Sequence, residues 1–133
     1  MGLTLEKANK IIAAGVEEGR KIGRNFSIVV LDAGGHLVAA QRMDGAAFIS
    51  PQIAQAKAYG CAAFRRDGPQ LAGMSQNAGF ISTLVEITGG KFAASLGAMR
   101  IMEGDEVVGS VGVSGAAPEQ DQQVAEVGVR AIQ

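Results

Sequence analysis

The chain has 133 residues, 47% of them hydrophobic, 19% charged and 5% aromatic, with a formal net charge of −1. That length supports one domain with one core, and the composition argues against disorder. A near-neutral balance without a basic stripe argues against nucleic-acid binding, and no apolar run nears the ~20 residues of a membrane span.

The first element is predicted from Thr4 to Gly23. Thr4 suits an N-cap and Gly23 a C-cap, while Leu5, Ala8, Ile12, Val16 and Ile22 recur near the helical period. "FSIVVLD" is compact and β-branched, which reads as a strand covered on both faces. "AGG" supplies a turn, because glycine tolerates positive φ, and "HLVAAQRMD" continues as the partner strand. A second helix opens at Ser50-Pro51 and runs to about Arg65, with Ile53, Lys57, Gly60 and Phe64 on one side. "RRDGPQLAG" breaks the pattern before a short helix near Gln70 to Gln76.

"FISTLVEI" reads as a strand or a covering segment, which its period does not separate, and "KFAASLGAMRIM" is equally open. A hairpin turn is expected at Glu103 to Asp105, then a strand over "VVGSVGVSG" and a last helix from Pro118. The order implies an α+β domain, a largely antiparallel sheet packed against helices, spanning residues 1–133. Strand alternation puts Val107, Gly109, Val111 and Val113 on one face and Val108, Ser110, Gly112 and Ser114 on the other. The second face is nearly bare, which marks close approach by a helix, a subunit or a ligand, with close packing the favoured cause.

No Walker loop or G-x-G-x-x-G fingerprint is present, and the paired glycines Gly34 and Gly35 join two strands rather than a strand to a helix. One histidine and one cysteine, far apart, do not make a closed zinc site. The lone Cys61 cannot form an internal disulfide, so a reducing, cytoplasmic setting is expected, and "MGLTLEKANK" lacks a hydrophobic signal region. His36 has three readings: a solvated hairpin residue, an axial ligand to haem iron, or a general base. Arg42 ends a strand, where its fork suits Asp44, Glu119 or a small anionic ligand. Lys57 falls on the apolar side of its helix, either snorkelling outwards or lying in a pocket.

"VVLDAGGHLVAAQRMDGA", "SPQIAQAKAYGCAAF" and "VVGSVGVSGAAPEQDQQVAEVGV" together resemble the GlcG/HbpS family, also called haem-binding or haem-degrading, which includes the C-terminal domain of PduO-type corrinoid proteins. The match covers roughly Phe26 to Phe64 and Val107 to Val129, with a compatible first helix. The resemblance implies a profilin-like central antiparallel sheet flanked by helices, homo-oligomers from dimer to octamer, and a small-molecule ligand that in some members is haem. Motif positions that carry over are Asp32, Gly34, Gly35, His36, Arg42 and Asp44 in the first stretch and Lys57 in the second. In the third they are Ser114, Gly115, Pro118, Glu119, Gln120 and Asp121. The chain departs from the pattern in "GGKFAASLGAMRIMEGDE", a longer segment with Lys91, Ser95 and Arg100 that is expected near a pocket.

Two functions follow as expectations. One is a homo-oligomeric binding protein for a small molecule, haem included, with His36 as the iron ligand. The other is a catabolic enzyme doing proton-transfer chemistry (isomerisation, dehydration or hydrolysis) on a small oxygenated or carboxylated metabolite. Arg42 and Lys91 would then orient the anion, with Asp44, Ser114, Glu119 and Asp121 as further ligand-binding candidates, and His36, Lys57 or Glu86 would move the proton.

Overall fold

Residues 2–133 are described by a computed structural model. In chain order the elements are α1 (Leu5–Ile22), β1 (Ser27–Asp32), β2 (Leu37–Arg42), α2 (Ser50–Phe64), α3 (Gly68–Met74), α4 (Ala78–Ile87), β3 (Ala98–Glu103), β4 (Glu106–Ser114) and α5 (Pro118–Arg130). The strands pair antiparallel in the order β2-β1-β4-β3, with helices on both faces, as the α+β expectation requires.

Local chemistry sets the ends of these elements. The Thr4 hydroxyl accepts a hydrogen bond from the Lys7 N–H at 3.1 Å, and Gly23 closes α1 in the left-handed conformation. The buried stripe of α1 is Ala8, Ile11, Ile12, Gly15 and Gly19, so Leu5, expected inward, lies 58% exposed. The hairpin turn expected at Glu103 to Asp105 joins β3 to β4. "FISTLVEI", expected as a strand or a covering segment, is instead helix: the Asn77 side chain accepts from the Phe80 N–H at 3.1 Å and starts α4. "KFAASLGAMRIM" divides into an irregular stretch and β3, which begins at Ala98. The Asp67 carboxylate accepts from Arg100 Nε at 3.1 Å and Nη2 at 3.2 Å, a fork that ties the start of α3 to β3. That pairing raises the Arg100 pKa above its ordinary value.

One face of the sheet, with Ile28, Val30, Val111 and Val113, packs against Ile11 and Ile12 of α1 and Val124 of α5. Each such side chain, fully buried, contributes about 1.5–3 kcal/mol. The opposite face carries Val29 and Leu31 and is covered by Ala54 and Ala58 of α2. Val108 packs with the first face, not with the second as alternation alone required. The β3–β4 register shows why: Ile101 pairs Gly109 and Met102 pairs Val107, which leaves Val108 as the extra residue of a bulge.

The bare strip on β4 is where α2 lies. A methyl group at Gly112 would run into the Ala54 carbonyl oxygen and stand 2.8 Å from the Ala58 nitrogen. Backbone therefore meets backbone, with no layer of side chains between helix and strand. One turn along, the Ser110 hydroxyl donates to the Ala58 carbonyl at 2.7 Å. The inward residues of α2 are small for this reason, and Ile53, expected inward, points away at 39% exposure.

Lys57 neither snorkels outwards nor enters a pocket. It is buried, and its ammonium donates to the Val113 carbonyl at 3.0 Å and to Asp121 Oδ2 at 2.9 Å. Asp121 Oδ1 accepts from the Ala116 N–H at 3.1 Å, so the pair closes α2, β4 and α5 together with its polar atoms used. Burial pushes the Asp121 carboxyl above its usual value, against the pull of Lys57 and the backbone N–H groups.

Removing one partner strands the other charge inside. Lys57→Met is expected to lower stability by about 3–5 kcal/mol at neutral pH. The loss shrinks as pH falls into the carboxylate range, because a buried acid with a raised pKa favours the folded state while protonated and disfavours it once ionised. Lys57→Met combined with Asp121→Leu recovers most of the loss. Urea unfolding of the three proteins across pH measures this, and a single-variant loss below about 1 kcal/mol, the size of a surface pair, contradicts it.

Candidate functional site

The turn between β1 and β2 is organised by one carboxylate. Asp32 Oδ1 accepts from the Gly34 N–H at 2.9 Å, from the His36 N–H at 2.9 Å and from His36 Nδ1 at 3.1 Å. These bonds, the His36 backbone N–H first among them, hold the Asp32 pKa below its ordinary value. A carboxylate only accepts, so Nδ1 carries the proton of a neutral imidazole and Nε2 keeps its lone pair. The ring itself is 81% exposed. Gly35 sits at φ +85°, and a methyl there would stand 3.2 Å from the Tyr59 ring, so glycine serves both the turn and the close approach of α2.

A hollow of about 330 Å³ lies between this turn, α2 and the segment after α4. The turn supplies Gly34, Gly35 and His36; α2 supplies Gln52, Gln55 and Tyr59; the segment after α4 supplies Gly90 and Lys91. Positions 52, 55 and 59 fall on one stripe of a helix, and the opposite face of α2 holds it on β4. The Ala93 N–H donates to the Ala56 carbonyl at 3.1 Å, and Phe92 packs edge-on against Phe64 with ring centroids 5.6 Å apart. These contacts lay the segment along α2 and bring Lys91 to the rim.

The structure thus brings His36 and Lys91 to one hollow and disperses the other expected site residues. Arg42 ends β2, six residues along the chain, which spans about 20 Å in extended backbone. Its Nη1 donates to the Ala46 carbonyl at 3.3 Å, and with Asp44 it borders a second hollow of about 340 Å³. Neither Asp44 nor Glu119 makes an ion pair with Arg42 among the described residues, and Glu119 stands exposed in the first turn of α5. Ser114 is buried opposite Ser27 in the β1–β4 ladder. Asp121 and Lys57 hold each other in the interior. Glu86 is exposed on α4 and outside the lining of the first hollow. Of the longer segment, Lys91 reaches that hollow while Arg100 is committed to Asp67.

Sequence reasoning missed Gln52, Gln55 and Tyr59, as well as Asp32 as the partner of His36. The signal lies in the spacing of Gln52, Gln55 and Tyr59 along α2, which an apolar period does not register. Among the described residues no group of three or more His, Cys, Asp or Glu side chains is placed to hold a metal ion. Cys61 is buried, and desolvation raises its thiol pKa far above the ordinary value.

A four-stranded antiparallel sheet between helices, with a histidine-bearing hairpin facing a helix stripe, defines the class: small α+β domains with a hollow at the hairpin tip. Within it the chain belongs to the family described as haem degrading protein HbpS-like, whose model matches residues 3–130. Protein GlcG of Escherichia coli (strain K12) is 36% identical over 112 residues, covering 84% of this chain and 81% of that protein. The crystal structure of a double mutant of Streptomyces reticuli HbpS superposes with a TM-score of 0.88 at 29% identity, over 100% of this chain and 88% of the other. A crystal structure of a PduOC:heme complex shares the fold at a TM-score of 0.90 and 23% identity, over 100% of this chain and 96% of that one.

The Asp32 bonds give the turn a pH dependence of definite sign. A carboxyl with a depressed folded pKa stabilises the fold above its unfolded pKa and loses that contribution as pH falls through the folded value. The Asp32 carboxyl is expected to titrate below 3.8 by NMR. Amide exchange at Gly34 and His36 should accelerate in the same pH range. A midpoint above the ordinary value, or amides indifferent to it, contradicts the arrangement.

Proposed function

We propose that this chain is a homo-oligomeric small-molecule-binding protein whose hollow at the β1–β2 turn takes haem, with His36 Nε2 as the iron ligand. The observation that carries the reading is the hydrogen bond from His36 Nδ1 to Asp32, which orients the ring and leaves the other nitrogen open. Metal-ligating histidines are held in this way by a carboxylate on their second nitrogen. The family description and the heme complex of the fold neighbour support the choice of ligand. The residues fit an exposed haem rather than an enclosed one: about 330 Å³ lies at the low end of the ~300–1,000 Å³ of pockets that bury drug-sized ligands. Haem bound there would be held by His36 and would supply an iron that exchanges single electrons.

Exposed apolar side chains support self-association, in an assembly between dimer and octamer. Phe48 is 84% exposed, Ile87 72%, Leu37 56% and Phe80 45%, more than isolated surface residues require. The single buried thiol supports a cytoplasmic setting. No helix among the described residues is long and apolar enough to cross a membrane.

The same geometry favours a second reading, the catabolic enzyme of proton-transfer chemistry. His36 backed by Asp32 is a general base in form, and Lys91 on the same hollow would orient an anion. Of the three proton carriers expected, His36 is the one that borders the hollow.

Haem titration of the purified protein is expected to give a Soret shift that His36→Ala abolishes, with light scattering reporting a mass above the monomer. A missing shift, or one indifferent to that substitution, overturns His36 as the ligand, and a monomeric mass overturns the assembly. The second reading is checked on the same two proteins by solvent-deuterium incorporation into added small acids, expected with wild type and absent with His36→Ala.

A further inference from the structure

The polar side chains of the first hollow are supplied with donors and left without partners. Among the described residues Gln52, Gln55, Tyr59 and Lys91 make no side-chain hydrogen bond or ion pair within the chain. In the interior and at its edge polar groups are spent, Lys57 on Asp121 and Arg100 on Asp67, whereas Gln52, Gln55 and Lys91 stand exposed and converge on one hollow. Lys91 contributes the formal positive charge of the lining, and no carboxylate lines the hollow to neutralise it.

We propose that these four side chains form a subsite for a small hydroxy- or oxo-carboxylate, adjoining His36, so that such an acid and haem compete for the hollow. The proposal rests on the reading of this hollow as a small-molecule site; the competition rests on the haem reading as well, the subsite itself does not. A single ammonium matches the single charge of a monocarboxylate. Two amides and a phenol offer donors and acceptors together, which suits a hydroxyl or keto oxygen beside the carboxylate. A plain alkyl acid would displace water from those groups without replacing its hydrogen bonds. A nucleotide fits poorly, because no guanidinium or glycine-rich helix entry lines the hollow. The stripe is preorganised, since α2 is fixed on its far side by backbone contact at Gly112.

The test uses 15N-labelled protein with lactate as the probe, acetate lacking the hydroxyl and lactamide lacking the charge. Lactate is expected to shift the Gly90 and Lys91 backbone amides and the Gln52 and Gln55 side-chain amides saturably. Lactamide should bind about tenfold more weakly or worse, as should Lys91→Met towards lactate, whereas Lys91→Arg retains most of the affinity. Acetate should bind more weakly than lactate in wild type, and that difference should vanish in Gln52→Leu/Gln55→Leu. Saturating lactate should also raise the concentration of haem needed for half the Soret shift.

No saturable shift, equal binding of lactate and lactamide, or equal binding by Lys91→Met overturns the subsite. A haem titration indifferent to saturating lactate overturns the shared hollow. Lactate binding in a protein that gives no Soret shift leaves the subsite standing and defeats the haem reading. A Soret shift without lactate binding does the reverse.

Discussion

Helix α2 meets strand β4 backbone to backbone at Gly112, and the site depends on that contact. Gly112 leaves no room for a methyl group beneath the Ala54 carbonyl, and the Ser110 hydroxyl reaches the Ala58 carbonyl one turn along. Lys57 then locks the helix from the same side, bridging the end of β4 and the first turn of α5. With its inner face so constrained, α2 has no freedom to rotate. Gln52, Gln55 and Tyr59 consequently look toward the β1–β2 turn, where Gly35 lets the Tyr59 ring approach. The hollow is a consequence of tight packing elsewhere rather than of any one motif.

Charge follows the same division between fold and site. In the interior each charged group has its partner, and the buried acid of the Lys57–Asp121 pair accepts from an ammonium and a backbone N–H. At the hollow the polar groups are turned outward and left to solvent, with the exception of the His36 edge bound to Asp32. A protein that fills its core hydrogen bonds this completely, with no buried side-chain polar atom left unpaired among the described residues, shows its functional surface by contrast.

Much of the fold was legible because period and punctuation agreed in the regular elements. The cap at Thr4, the β-branched run at Ile28 to Leu31 and the glycine turns each carried one local cause. The failures have physical reasons. Val108 crossed to the other face because a bulge inserts one residue, and alternation has no means of registering it. The segment that became α4 is mostly apolar, so no period stands out, and one residue of it, Leu84, is buried. Ile53 was placed inward on the rule that large apolar residues face the core, whereas a helix lying on a glycine strip needs small ones, Ala54 and Ala58, inside. The partner of Lys57 lies 64 residues away, beyond any local pattern. At the site, His36 and Lys91 were visible as unusual residues in unusual places. Their meeting, and the separation of both from Arg42, required the path of the chain.

If direct contact between α2 and β4 positions the hollow, replacing Gly112 with Ala disturbs both the fold and the site. Gly73→Ala is the control, since a methyl there meets nothing within 4 Å. Denaturation should show Gly112→Ala destabilised by about 1–3 kcal/mol or more, as for other overpacked sites, with Gly73→Ala neutral or slightly more stable. Amide spectra of the folded Gly112→Ala protein should show displaced signals for Gln52, Gln55 and Tyr59. Unchanged stability with those signals in place would mean that the α2–β4 contact does not set the hollow.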